Sequence, residues 1–69
     1  MTFAEAAAFI MPFGKYAGCT LDGIALDDKG LKYLDWLRGE RAQEGKNSDV
    51  DKALAAYLDD PTIQRELNK

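Results

Sequence analysis

The chain has 69 residues, 46% of them hydrophobic, which supplies one compact core and predicts a single domain over residues 1–69. Its formal net charge of -3 argues against a protein that coats nucleic acid through a broadly basic surface. Histidine is absent, which excludes Ser-His and Cys-His nucleophile pairs and zinc sites built from Cys and His clusters. We therefore expect a protein that is not an enzyme and that binds neither a metal nor a cofactor.

Cysteine use and hydropathy predict where the protein works. Cys19 is the only cysteine, so it has no partner for an internal disulfide, as suits a reducing compartment. No charged segment followed by an apolar run marks a signal peptide, and the apolar runs are far shorter than the roughly 20 residues of a membrane span. We expect a cytoplasmic protein that does not contact a membrane.

The N-terminal segment combines a helix signal with a strand signal. Thr2 and Glu5 have the spacing of a capping box, and the alanines that follow predict a short helix over about residues 3–8. Residues 9–13 (FIMPF) favour extended chain, because aromatic and β-branched side chains suit strands and the residue before a proline disfavours a helix. Residues 14–18 (GKYAG) predict a turn or a hairpin that continues into a short second strand.

The middle of the chain contains the clearest helix. Thr20 is a capping residue and predicts one helical turn or a tight bend after it. Asp27 or Asp28 is placed to cap the next helix, which covers about residues 29–40 (KGLKYLDWLRGE) because leucines recur there at helical spacing.

The C-terminal third is predicted to be helical. Residues 41–48 indicate a linker, with a glycine stopping the preceding helix. Ser48 and Asp51 have capping-box spacing and begin a helix with one apolar face. Asp60 followed by Pro61 begins a last short helix, since proline suits the first helical position.

Together these patterns predict an α+β fold. We expect one small domain in which a short N-terminal β-hairpin or strand packs against about three helices. The motif-bearing part covers about residues 9–38, and the helical C-terminal part covers about residues 48–68.

The turn suggests a binding site for an anion. Gly14 and Gly18 expose backbone N–H groups, and Lys15 adds a positive charge beside them. Phe13 and Tyr16 offer flat faces on which a base could stack. The spacing is too short for a Walker phosphate loop. The alternative is a structural hairpin in which the phenylalanine is core and the lysine is only solvated.

The helix after the turn offers a second aromatic surface. Trp36 is either a core residue or the floor of a groove beside the turn. In the second case Lys32, Arg38 and Arg41 would make the rim of that groove basic.

The segment "MPFGKYAGCTLDGIA" and the later "YLDWL" resemble a known motif pair. They resemble the small domain at the C-terminus of exodeoxyribonuclease X-like proteins, and a bacterial and phage family labelled as quorum-sensing-regulated virulence factors. The resemblance covers about residues 9–38, and Cys19 stands where that family often has lysine. The matching residues are Pro12, Phe13, Gly14, Lys15, Tyr16, Gly18, Thr20, Leu21, Ile24, Tyr33, Leu34, Trp36 and Leu37.

The resemblance implies a nucleic-acid accessory role, because in the exonuclease-like proteins this module accompanies a nuclease domain. The hypothesis is a non-enzymatic module that contacts nucleic acid, weakly and in a salt-sensitive way, or a partner protein such as a nuclease. Its site residues are Phe13, Gly14, Lys15, Tyr16, Gly18, Lys32 and Trp36. The alternative is a protein-interaction domain that uses its acidic C-terminal helices, including Asp59 and Asp60, while the turn is purely structural.

Overall fold

The computed structural model describes residues 1–68 and contains five helices in that part of the chain. They are α1 (Phe3–Ala7), α2 (Leu21–Ala25), α3 (Asp28–Gln43), α4 (Asp49–Leu58) and α5 (Pro61–Leu67). About 63% of the described residues are helical, and none of them belongs to a sheet. Over the same residues, no helix is both long and apolar enough to cross a membrane. The fold is a small helical bundle.

The predicted α+β fold is wrong, because the N-terminal hairpin does not form. The extended segments on either side of the turn meet at one antiparallel bridge, between Ile10 and Thr20. Pro12 has no N–H to donate to a ladder. Gly14 and Gly18 have φ angles of 82° and 89°, so the chain curls into a closed loop directly after the bridge. The paired segments are too short to be strands, and five helices form where about three were expected to pack against the hairpin.

Side-chain caps begin α1, α2 and α5 where the sequence predicts them, whereas Asp27 precedes α3 without a side-chain hydrogen bond to the helix. The Thr2 hydroxyl accepts from the Glu5 N–H at 3.2 Å, and the Thr2 N–H donates to the Glu5 carboxylate at 3.0 Å. The Thr20 hydroxyl accepts from the Gly23 N–H at 3.0 Å. The Asp60 carboxylate accepts from the backbone N–H two residues later, at 3.0 Å. These contacts satisfy N–H groups that the helix itself leaves unpaired.

The third helix is longer than predicted and ends at a glycine. Gly45 has a φ of 73°, and its N–H donates to the carbonyl of Ala42 at 3.1 Å. The Lys46 N–H donates to the carbonyl of Arg41 at 3.0 Å, which completes a Schellman motif. The expected linker over residues 41–48 is therefore partly helical.

The core lies where α4 packs against α1 and α3. Tyr57 of α4 is 1% exposed, and its ring stacks on Phe3 of α1 at a centroid distance of 5.0 Å. The loop contributes Met11, which is also 1% exposed. The buried hydrophobic residues are Ala6, Met11, Leu21, Ile24, Leu31, Leu34, Leu37, Val50, Ala53, Leu54, Tyr57, Leu58 and Ile63.

The close contact between α2 and α3 requires a glycine. A Cβ atom added to Gly30 would lie 2.0 Å from the carbonyl oxygen of Ile24, which is backbone and has no rotamer to escape. Gly39, in the same helix, has no atom within 4 Å of the equivalent position. The two glycines therefore make a matched pair in which only the first is needed for packing.

We expect Gly30→Ala to lower the free energy of unfolding by about 1–3 kcal/mol, the usual cost of overpacking a well-packed site. Gly39→Ala should raise it by about 0.5–1 kcal/mol, because alanine favours an open helical position. Urea unfolding followed by circular dichroism measures both. Equal effects of the two substitutions would contradict the close contact between α2 and α3.

A buried phenol joins α4 to α2. The Tyr57 hydroxyl donates to the Asp22 carboxylate at 3.1 Å. Burial, reinforced by this hydrogen bond and the nearby carboxylate charge, raises the pKa of Tyr57 to about 12. The folded protein therefore keeps the phenol proton at pH values where the unfolded chain loses it.

This raised pKa predicts a loss of stability in alkali. The contribution is complete below the unfolded pKa of about 10 and disappears as the pH rises toward the folded value. We expect the free energy of unfolding to fall over that range, and Tyr57→Phe to remove the part of the slope that the phenol causes. Stability measured from pH 9 to 12 in both proteins tests this. Parallel curves would show that the phenol has no such role.

Candidate nucleic-acid interface

The loop that follows α1 is closed by backbone hydrogen bonds. The Met11 N–H donates to the carbonyl of Cys19 at 2.9 Å, and the Gly18 N–H donates to the carbonyl of Met11 at 2.9 Å. One residue beyond Thr20, the Leu21 N–H donates to the carbonyl of Phe9 at 3.0 Å. The chain between these bonds is held at both ends, so its side chains project from a fixed base.

Three aromatic rings form a continuous row across the loop and α3. The Tyr16 ring lies 5.2 Å from the Tyr33 ring, and the Tyr33 ring lies 5.9 Å from the Trp36 ring, measured between centroids. Both pairs are tilted, which is a favourable arrangement for aromatic rings. Gly14 fits closely against this row, since a Cβ atom there would lie 3.0 Å from the Tyr33 hydroxyl. We call the three rings the aromatic row.

Trp36 is the open end of the aromatic row. It is 58% exposed, so the core alternative is wrong, and the alternative that it forms the floor of a groove stays a prediction. At about 100° per residue, it lies roughly 150° around the helix from the centre of the buried stripe. That stripe is formed by Gly30, Leu31, Leu34 and Leu37. The leucine spacing alone could therefore have indicated an exposed indole.

The ion pair between Arg41 and Asp51, which we call the anchor, links the loop to the bundle. The Cζ of Arg41 lies 5.1 Å from the centroid of the Phe13 ring, a cation–π contact. Arg41 Nε donates to Asp51 Oδ1 at 2.6 Å, and Arg41 Nη2 donates to Asp51 Oδ2 at 3.1 Å. The Ser48 N–H also donates to that carboxylate, at 2.7 Å. Phe13 is thus linked to the start of α4 through one guanidinium.

The anchor shifts the pKa of both of its side chains. Hydrogen bonds from Arg41 and Ser48 hold the pKa of Asp51 well below its usual range, although burial opposes the shift. The hydrogen bond to Asp51 raises the pKa of Arg41. The two side chains are 16% and 15% exposed, so the pair is partly shielded from water. Arg41 serves the fold and is not available as a basic rim for a ligand.

The positive charge near the aromatic row is smaller than predicted. Arg38 also has internal partners, at 2.9 Å from Asp59 and 3.4 Å from Asp35. The Nζ of Lys15 lies 5.6 Å from the Tyr16 centroid and remains exposed. Lys32 is exposed one helical turn before Trp36, where it lines a small cleft toward α5.

The structure brings most of the predicted site residues to one region. Gly14 and Tyr16 lie against Tyr33, Lys15 lies over the Tyr16 ring, and Phe13 lies against Arg41. Gly18 is placed differently, because it closes the loop by backbone bonding. The predicted set lacks Tyr33, the central ring, and Asp51, which anchors the loop. The motif "YLDWL" marked the first, but no local signal pairs Asp51 with Arg41.

Comparisons with known proteins add no relatives. No protein-family model, no curated protein and no solved structure matches the chain. Within residues 1–68, no three His, Cys, Asp or Glu side chains lie together in a way that could hold a metal ion.

The anchor predicts unequal effects for two aspartates. We expect Asp51→Asn to lower the free energy of unfolding by about 2 kcal/mol, because it weakens a charged hydrogen-bond cluster and a helix cap. Asp59→Asn should cost at most about 0.5 kcal/mol, because its pair with Arg38 is open to water. Guanidinium unfolding of both variants at neutral pH makes the comparison.

The same anchor predicts a loss of stability in acid. The lowered pKa of Asp51 means that its contribution is complete above the unfolded pKa and is lost as the pH falls below about 4. Asp51→Asn should therefore show a flatter stability curve below that pH than the wild-type chain. Identical acid limbs would contradict the role given to the carboxylate.

Proposed function

We propose that this chain is a non-enzymatic binding module that contacts single-stranded nucleic acid through the aromatic row and Lys15. The observation that carries the proposal is the row itself: three adjacent rings ending in an exposed tryptophan. Aromatic side chains provide stacking platforms for unpaired bases, and such stacking tolerates different sequences. The resemblance of the turn and of "YLDWL" to an exonuclease-associated module supports the same role.

Lys15 would supply the electrostatic part of the contact. It lies beside Tyr16 at one end of the row, and Lys32 precedes Trp36 near the other. Two lysines on a chain of net charge -3 favour weak binding that salt reverses easily. A single strand fits this arrangement better than a duplex, because paired bases do not present their faces.

Weak binding suits an accessory part of a larger machine. The chemistry would belong to a partner protein, such as a nuclease, that this module helps to hold on its substrate. The protein would work in the cytoplasm, where the exposed thiol of Cys19 stays reduced.

The alternative surface, formed by acidic C-terminal helices, is less well supported. Asp59 pairs with Arg38, and Asp60 caps α5 through the Thr62 N–H. Both carboxylates have contacts within the chain, so charge reversal at these positions would change folding as well as any binding.

Trp36 provides a direct test, because it is the only tryptophan in the chain. Single-stranded DNA and RNA oligonucleotides, titrated at low salt, should quench its fluorescence and raise the anisotropy of a label on the oligonucleotide. A duplex of the same length should bind more weakly. Absence of binding to any single strand at low salt would overturn the proposal.

Two substitutions separate stacking from charge. We expect Trp36→Ala to weaken binding about tenfold, because one stacked base contributes about 1–3 kcal/mol. Lys15→Ala should lower the slope of log affinity against log salt by about 0.7, the value for one phosphate contact on a single strand. Lys52→Ala makes the same charge change on α4 and should leave both quantities unchanged. Equal losses at Lys15 and Lys52 would indicate only a general charge effect.

A further inference from the structure

A second surface of the bundle is a cleft with an apolar floor. It has a volume of about 250 Å³ and lies between α2, the first turns of α3, the end of α4 and α5. None of the three rings of the aromatic row lines it. Its apolar lining residues are Ala25, Leu26, Leu31, Tyr57 and Ile63.

Leu26 makes this cleft unusual. It is 87% exposed, the highest value among the exposed large hydrophobic residues of the described chain. The backbone fixes it there, because it follows α2 directly and its N–H donates to the Gly23 carbonyl at 3.4 Å. An apolar side chain held in water beside a cleft gains by being covered.

The remaining lining residues are acidic. Asp22, Asp28 and Glu66 complete the cleft. Asp22 accepts one hydrogen bond from Tyr57, which leaves further acceptor capacity on its two oxygens. Asp28 is exposed in the first turn of α3. Lys32 lines a smaller adjoining cleft, which shares Asp28, Leu31 and Glu66 with this one. A ligand entering here meets the carboxylates of Asp22 and Asp28 beside an apolar floor.

We propose that this cleft docks a basic peptide segment of a partner protein, with a leucine-like side chain against Leu26 and Leu31 and an arginine or lysine paired with Asp22 and Asp28. Charge complementarity selects this occupant. The carboxylates repel nucleic acid, and the volume is below the roughly 300–1,000 Å³ of typical small-molecule pockets. The protein would then use one surface for nucleic acid and a different one for its partner.

The test uses three synthetic peptides and the full chain labelled with ¹⁵N. The first probe is Ac-Gly-Arg-Leu-Arg-Gly-NH2. In the second probe glutamate replaces both arginines, and in the third alanine replaces the leucine. We expect the first to shift amide resonances of α2, of the start of α3 and of α5, and the other two to bind more weakly. Shifts located elsewhere, equal binding of the glutamate peptide, or no binding of the first probe would overturn the proposal.

Variants assign the two parts of the contact. Leu26→Ala should weaken binding of the first peptide about tenfold, because apolar contact is lost. Since Leu26 is exposed, the variant should fold normally, and its circular dichroism spectrum should match that of the wild-type chain. Asp28→Asn should weaken it about threefold, the effect of one exposed ion pair. Glu40→Gln removes the same charge from an exposed position of α3 outside the cleft and should have no effect. Wild-type affinity in both cleft variants would refute the assignment.

This inference is independent of the proposed nucleic-acid contact. Lys15→Ala and Trp36→Ala should leave peptide binding unchanged, and Leu26→Ala should leave oligonucleotide binding unchanged. Failure of one surface therefore leaves the other open to its own test. Lys32 lines the adjoining cleft, so it is oligonucleotide-induced shifts at Leu26 and Ile63, which line only the docking cleft, that would contradict the separation of the two surfaces.

Discussion

The arrangement of this small bundle depends on one guanidinium. Arg41 lies on the core-facing side of the last turns of α3, bonds the carboxylate that begins α4 and covers the ring of Phe13 in the loop. Three segments that are distant in the sequence meet at this one side chain. A short chain can bury little apolar surface between each pair of segments. A shielded charge pair with several hydrogen bonds therefore fixes how these segments pack, which a larger core would do in a bigger domain.

The loop and the helices divide the work between them. The helices bury the apolar side chains, and α4 lies at the centre through its contacts with α1 and α3. The loop contributes one fully buried residue, Met11, and the rings of Phe9 and Tyr16 also pack against the core, while most of its other side chains are exposed. The exposed side chains of the loop, such as that of Lys15, are therefore positioned by a frame that they stabilise little. Binding residues carried in this way can be changed with little effect on folding, which is common for loops on rigid scaffolds.

The sequence predicts the parts of this structure that depend on neighbours within about four residues. The structure has the predicted caps at Thr2, Thr20, Ser48 and Asp60, but the predicted cap at Asp27 or Asp28 makes no side-chain hydrogen bond to α3. Strand formation at residues 9–13 was predicted wrongly, because extended propensity forms a strand only where a partner strand is available for several residues. From the sequence alone, Trp36 is either a core residue or the floor of a groove, although the leucine spacing could have indicated its exposure. The pairing of Arg41 with Asp51 depends on how α3 and α4 turn back on each other. Contacts of that kind leave no local pattern.

The closed loop also has a consequence for its motions. The bonded amides of Met11, Gly18 and Leu21 join the same two backbone segments, so none of them opens fully unless those segments separate. These three amides should therefore exchange through one shared opening and give the same opening free energy, as one cooperative unit. Amides at the tip, such as that of Lys15, can exchange while the base stays closed. The base of the loop thus has a higher free energy of opening than its tip.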